Sequence, residues 1–464
     1  MFITTTLSSR PKPRDLRSLL RKSKQPLHAS QDARVNSVQQ TSRGRARLPQ
    51  SNAQSRPRIS PAAATLALLI ALNLLNYIDR YILPGEVSLI KADFHSTDQQ
   101  MGLLTTALFL VYMIAAPLTG WLGDHFRRKP LIIAGALLWS IATLTTAWVH
   151  DYRTLFIRHA IVGIGEATFG IFAPAVLADF YPERERNRIL SIFYLAIPVG
   201  AALGYVAGGK LGTAYGWRAP FFVCAIPGLV VAALYMGLGR EPVRGASDHV
   251  KASPTRSTVL GLFLNPAFLT ATFGLATLTF AMGGISAWMP TFLNRAAGLS
   301  VGNASLAVGA ITVIDGIAGT LIGGWIAQRW LRTNDRALYL LSFWSVALTL
   351  PCGIMVFFGP KTWAIPALFV TEFFLFLNTG PLNAAIVNSV SAPVRATAIS
   401  FNLFCIHAFG DTFSPTIIGA ISDRTNLRLG LGVTLIFLVI SAAILLFGSR
   451  FAPPLTETSE RPSP

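Results

Sequence analysis

Ala71-Leu-Asn-Leu-Leu-Asn-Tyr-Ile-Asp79-Arg80-Tyr-Ile-Leu-Pro84 places two adjacent charges inside a run that is otherwise almost wholly apolar. Charged side chains at membrane depth are costly, and they persist where they face a water-filled path or a partner charge. This stretch therefore points to an integral membrane protein that moves something across a bilayer, with part of the machinery in its first span.

Composition agrees. Of 464 residues, 52% are hydrophobic and only 13% charged, with a mean hydropathy of +0.51. Soluble domains carry about 25% charged residues. The chain is expected to be polytopic. The net charge of +18 is concentrated: residues 1–60 hold 13 Lys/Arg against two Asp/Glu. Such a balance can signal nucleic acid. Here it sits in one tail and in the loops between apolar runs, so a membrane protein that binds no nucleic acid explains it better. Cys224, Cys352 and Cys405 are scattered through apolar spans with no metal or disulfide spacing.

Five segments follow. Residues 1–60 read as a disordered basic tail, a composition shared with transit peptides. Residues 61–239 form a first half, 240–265 a polar linker, 266–449 a second half and 450–464 a C-terminal tail. The halves contain twelve runs of about 20 residues, each long enough to cross the hydrocarbon. They start near residues 63, 100, 130, 154, 187 and 219, then 267, 301, 337, 362, 394 and 430. An even count puts both termini on one side. Loops after even-numbered spans carry 14 Lys/Arg and the others eight, so both termini are expected in the cytoplasm of a cell that holds the chain in its (inner) membrane. Two six-span halves suggest repeats around a midplane site. Gly120-Trp-Leu-Gly-Asp124-His-Phe-Arg-Arg128-Lys129 and Gly323-Gly-Trp-Ile-Ala-Gln328-Arg329-Trp-Leu-Arg332 occupy equivalent places in the two halves.

The first of these motifs resembles the loop 2–3 signature of the major facilitator superfamily. Pro198-Val-Gly200-x-x-x-Gly204-x-x-x-Gly208-Gly209 is similar to that superfamily's glycine-rich fifth helix. Asn76-Tyr-Ile-Asp79-Arg80, Val162-Gly-Ile-Gly165-Glu166-Ala167, Pro182-Glu-Arg-Glu-Arg-Asn-Arg188 and Ser191-Ile-Phe-Tyr-Leu-Ala-Ile-Pro198 resemble the Spinster branch. So do Trp288-Met-Pro290, Leu377-Asn378-Thr379-Gly380-Pro381-x-Asn383 and His407-x-x-Gly410-Asp411-x-x-Ser414-Pro415. The resemblance spans about residues 63–449. It implies an all-α, twelve-helix secondary transporter of amphipathic, lipid-like anions such as lysophospholipids or sphingoid phosphates, some members being proton-coupled. Small organic anions or drugs are the alternative cargo.

Asn73, Asn76 and Arg80 share a helical stripe expected to face the cavity, with Arg80 holding an anionic head group and Asp79 titrating; the alternative is a structural charge pair joining spans 1 and 4. Glu166 is the expected proton carrier. The family pattern places Arg seven residues before this Glu, and here His159 stands there with Arg158 one position earlier. Either His159 replaces the arginine, giving a pH-sensitive pair, or Arg158 reaches in. Glu372, Thr379 and Asn383 should share a face of span 10 near Asn378. His407 and Asp411, at i and i+4, should bond each other. These and Asp315 could line the second half of the cavity or act as interhelical glue. Gly120, Asp124 and Arg128 are assigned to gating, through a carboxylate held at a neighbouring helix N-terminus. The Gly200, Gly204, Gly208 series should let helices approach closely. The charges are too scattered for a lipid enzyme's nucleophile–base set, no phosphate-binding Gly-x-x-x-x-Gly-Lys-[Ser/Thr] run is present, and no cofactor is expected. The chain should act as a monomer with protons, a small-molecule or lipid cargo and membrane lipids as partners. A membrane sensor with the basic tail as effector is a further class.

Overall fold

The computed structural model describes residues 60–243, 260–391 and 394–454. The basic tail and most of the linker lie outside this set. The architecture is all-helical. Helices α1 (Pro61–Phe94), α2 (Asp98–His125), α3 (Arg128–Thr146), α4 (Tyr152–Phe180), α5 (183–215) and α6 (Arg218–Leu238) form the first half. Helices α7 (Pro266–Ala297), α8 (Val301–Leu331), α9 (Ala337–Phe358), α10 (Lys361–Asn388), α11 (395–424) and α12 (Leu427–Gly448) form the second. The helix starts follow caps written in the short links. Ser60, Asp151, Asn265, Ser300 and Asn426 each accept a backbone N–H from the first turn. Thr97 forms a reciprocal capping box with Gln100. These polar groups satisfy amides that a helix end leaves free.

Eleven helices among the described residues are long and apolar enough to cross a membrane. The expected eleventh span is not one unbroken helix. It is built as α11a (Arg395–Ile406) and α11b (Ser414–Arg424), joined by a π-helical turn over His407–Asp411. Gly410 there has φ −114° and ψ −108°, and Pro415 cannot donate a backbone hydrogen bond to the turn before it. Such π turns tend to mark functional positions. Three other helices are interrupted. α1 leaves helical geometry at Glu86 (φ −135°, ψ 17°), two residues after Pro84. α5 carries a π turn at Ala207–Leu211, and α10 breaks at Asn378.

The glycine stripe of α5 lies on α1. A Cβ at Gly204 would stand 2.5 Å from the Ile78 carbonyl, and one at Gly200 would stand 2.8 Å from that of Leu74. Only hydrogen fits there, which sets the α1–α5 distance. The two halves meet from one end of the bundle to its middle. α5 packs on α8 from Gly209 against Ser305 to Pro198 against Gly316. α2 packs on α11 from Asp98 against Gly419, through Gly102 against Pro415, to Phe109 against His407. We call the end where α1 begins and α12 finishes the terminal end, and its opposite the far end. The sealed stretch runs from the far end to the midplane.

Candidate functional site

At the inner limit of the seal, Arg80 of α1 reaches across to Glu166 of α4. Its Nε donates to Glu166 Oε2 at 2.9 Å, and Nη2 bonds the same oxygen. The Glu166 side chain is fully buried, and that of Arg80 is 16% exposed. Glycines put Glu166 there. Gly163 lets α4 close on Leu108 of α2, and a Cβ at Gly165 would stand 2.6 Å from the Gly135 carbonyl of α3. The guanidinium lies over three rings, 4.9 Å from Tyr77, 5.3 Å from Phe109 and 6.0 Å from Tyr112. Arg is suited to both roles, since its planar cation stacks on rings while its edge binds carboxylate.

The second half contributes His407. Its ring stacks on Phe109 at 5.6 Å and tilts against Tyr112 at 5.4 Å, and its Nδ1 lies 2.9 Å from Asp411 Oδ1. The π turn swings these side chains toward α2. The Arg80–Glu166 ion pair of one half and the hydrogen-bonded His407 and Asp411 of the other thus share one aromatic wall.

The pairing expected within α4 is not what is built. Neither His159 nor Arg158 is bonded to Glu166. His159 is buried, and seven residues of helix span about 10 Å, beyond contact. Arg80, arriving from α1, takes the position, so a charge pair joining spans 1 and 4, the alternative reading of the span 1 charges, is what is built. Asp79 lies off the stripe of Asn73, Asn76 and Arg80, and Asn73 and Asn76 of that stripe are buried. About 100° round from Arg80, Asp79 is buried and faces Thr143 of α3. Asn73 donates to the Phe193 carbonyl at 2.8 Å and ties α1 to α5.

In the second half, Glu372 accepts from Thr312 Oγ1 at 3.0 Å and borders a small void of about 40 Å³ with Tyr81, Tyr205 and Ser286. The residues expected on one face of α10 have different surroundings. Asn378 is buried and donates to Ser345 of α9 at 2.9 Å, while Asn383 is exposed and donates to Thr379 of its own helix. Asp315 is fully buried beside the same region. Among the gating residues, Arg128 binds Asp179 of α4 at 2.6 Å, within its own half, and Gly120 borders the cavity described below. The Asp124 side chain lies outside the described set.

A polar clasp unforeseen from sequence closes the far end. Asp98 accepts from Arg295 of α7 at 2.7 Å, Lys91 of α1 at 2.6 Å and Ser422 of α11b at 2.7 Å. Asp423 of α11b accepts the backbone N–H groups of Asp98 and Gln99 at 2.8 Å each. The signals were an acid beside the Thr97 cap and an Asp-Arg pair ending span 11; nothing in their spacing says that the two meet. On the terminal side of His407 the halves separate. A cavity of about 350 Å³ lies between α2 and α11a, bounded by Tyr112, Met113, Pro117, Leu403, Phe404 and His407. Its rim is apolar and exposed, with Leu403 37% and Phe404 48% accessible.

Comparison with known proteins accords with this geometry. The sequence profile of the Major Facilitator Superfamily matches residues 69–415. Protein spinster homolog 1 of Xenopus tropicalis is 34% identical over 379 residues, covering 77% of this chain and 72% of its own. The human protein of that name is 34% identical over 396 residues, with 79% and 74% covered. The chain belongs to the Spinster family. A sphingosine-1-phosphate transporter of Xenopus tropicalis, 32% identical over 383 residues, covers 79% of this chain and 74% of itself. A solved bacterial homolog of the human lysosomal transporter Spinster, inward-facing and unoccupied, superposes with a TM-score of 0.76 at 23% identity, covering 86% of this chain and 98% of that one. A D-xylose–proton symporter superposes at 0.70 and 16% identity, covering 85% and 98%. The Spinster-type protein described here is thus a multi-pass transporter with the major facilitator fold.

Proposed function

We propose that this Spinster-family transporter moves lysophospholipid-like amphipathic anions, driven by or exchanged with protons. The observation that carries the reading is the cavity between α2 and α11a, whose apolar wall ends at Tyr112 and His407, the residues against which Arg80 and Asp411 lie. An acyl chain suits Met113, Pro117, Leu403 and Phe404; a phosphate suits Arg80 and His407. One relative is a sphingosine-1-phosphate transporter by name, which supports the same class of cargo.

The coupling reading follows from competition. Arg80 serves Glu166 in this arrangement. An anionic head group arriving beside Tyr112 competes for the guanidinium, and a Glu166 that loses its partner takes up a proton, because an unpaired buried charge is expensive. Cargo and proton are thereby linked through one arginine. Release of the cargo restores the pair and expels the proton. With both termini cytoplasmic, as the loop charges suggest, the far end is extracytoplasmic and this arrangement faces inward. Conversion to the other face requires the Asp98 clasp to open while the terminal end closes.

The test is uptake of a labelled lysophospholipid into proteoliposomes, with and without an imposed pH gradient, for wild type and Glu166→Gln. Gradient-stimulated uptake, lost in the variant, is expected. Gradient-independent uptake surviving in the variant would make the protein a facilitator and Glu166 structural. No uptake at all would move the cargo to small organic anions.

A further inference from the structure

Glu86 belongs to neither the central cluster nor the clasp. It lies six residues beyond Arg80, about 9 Å farther along α1, between the midplane pair and Asp98. Its side chain has no solvent exposure, and neither carboxyl oxygen has a hydrogen-bond partner among the described residues. Few positions in a membrane helix are less welcoming to a charge.

The surroundings are built around it. Pro84 removes a helical amide and Glu86 itself leaves helical geometry, so α1 bends there. The carbonyl of Gly85, at the bend, accepts from Ser305 of α8 at 2.7 Å, a contact between the halves. The Glu86 carboxyl fits against Gly212 of α5, where a Cβ would collide with its Oε2. Gly212 directly follows the π turn of α5. Two irregular segments thus enclose one acid at the place where the first half touches the second.

Among the described residues, none with a charge pairs with it. On α1, Arg80 is committed to Glu166, Lys91 to Asp98, and Asp93 to Trp217 and Arg218. On α5, Lys210 binds Asn303 of α8. On α7, Arg295 binds Asp98. The titratable group facing Glu86 is Cys224 of α6, with Asp79 a further acid near that thiol.

We propose that Glu86 is a second proton-binding residue of this transporter. It holds a proton while α1 is bent against α5 and the far end is shut, and it loses that proton to water when the bend opens. The proposal rests on the proton-coupled reading above and adds a step to it. Glu166 exchanges its proton against cargo; Glu86 exchanges its proton against closure. The sign follows: low pH favours the shut far end and high pH favours the open one. With one proton per molecule, the open-to-shut ratio rises up to about tenfold per pH unit over the titrating range.

The test is hydrogen–deuterium exchange of the full chain in lipid nanodiscs across about pH 5 to 9, corrected for the chemical pH dependence of exchange. Peptides covering residues 86–101 and 414–426 report the far end. Wild type should exchange at least about tenfold faster there at high pH. Glu86→Gln and Glu86→Leu should hold the low-pH rate throughout, with unchanged melting temperature and elution showing that both fold. Variants that respond with the wild-type midpoint would overturn the Glu86 proposal and leave the proton-coupled reading standing. A wild type without any far-end response would overturn the proposal too; the uptake experiment then decides coupling separately, since gradient-driven uptake would keep that reading and gradient-independent uptake would remove it.

Discussion

The central pair and the far-end clasp are both built on a carboxylate, and they are opposites in design. Glu166 has one cationic partner from its own half, with both donors converging on a single oxygen. Asp98 has Lys91 from its own half and Arg295 and Ser422 from the other. Removing one donor from Asp98 leaves two. Removing one donor residue from Glu166 leaves it without its cation. The first arrangement suits exchange, because a competitor for Arg80 changes the state of the whole site. The second suits holding, because closure is distributed over several charge-assisted bonds. A transporter needs both, a contact that gives way to cargo and one that gives way only when the halves rearrange.

The largest expected effect breaks the central pair. Arg80→Ala strands a fully buried carboxylate, which typically costs about 3–5 kcal/mol. It should abolish uptake and lower the melting temperature. Arg80→Lys should restore stability better than uptake, since an ammonium neither forks onto carboxylate nor stacks on Tyr77 and Phe109 as a guanidinium does. Equal recovery of both would show that the site needs only a positive charge.

Next is Asp98→Asn, which weakens the clasp without emptying the midplane. Hydrogen bonds to charged groups contribute about 1.5–3 kcal/mol each. Losing that much should shift the far-end equilibrium toward open by roughly tenfold or more, read as a longer distance between probes at positions 92 and 425. Binding of cargo from the terminal side should weaken correspondingly. An unchanged distance distribution would mean that helix packing alone closes that end. The contrast would then lie between one ionic site and one ornamental one.

Reading these regions from sequence succeeds and fails for a physical reason. Spans, caps and the glycine stripe of α5 are local patterns, and Gly200, Gly204 and Gly208 were legible because four-residue spacing needs no partner to be named. Glu166 stands out as an acid in an apolar run; its own helix offers Arg158 and His159, and the other reading, a charge pair joining spans 1 and 4, is the one built, although the sequence does not name Arg80 and Glu166 as its two members. The true partner arrives from α1. Pairing between helices leaves no periodicity in either. Asp98 and Asp423 were invisible for the same reason, since an acid at a span's end is ordinary until another half closes on it. Glu86 follows Pro84, where the apolar run ends in sequence while α1 itself continues to Phe94, so nothing local marks it as buried.

A smaller effect comes from Gly204→Ala. The added Cβ would stand 2.5 Å from the Ile78 carbonyl, and overpacking of this kind costs about 1–3 kcal/mol. It should lower the melting temperature by a few degrees and slow transport, because α1 carries Arg80 two residues beyond the strained carbonyl. If uptake falls while the melting temperature does not, the α1–α5 contact slides during transport instead of staying fixed.

The smallest effect sharpens the comparison from the cargo side. Leu403→Gln leaves Arg80, His407 and the clasp untouched and changes only the apolar wall of the cavity. Leu403 is 37% exposed before cargo arrives, so what the substitution removes is contact with an acyl chain. Apolar burial contributes about 25 cal/mol per Å². Loss of some tens of Å² amounts to about 1 kcal/mol, or roughly a fivefold rise in the half-saturating lysophospholipid concentration. The rise should grow with chain length and vanish for a short-chain analogue bearing the same head group, with maximal rate little changed. A length-independent effect would mean that the tail lies elsewhere. The central pair would then select its cargo by charge alone, and the apolar wall would belong to the lipid bilayer.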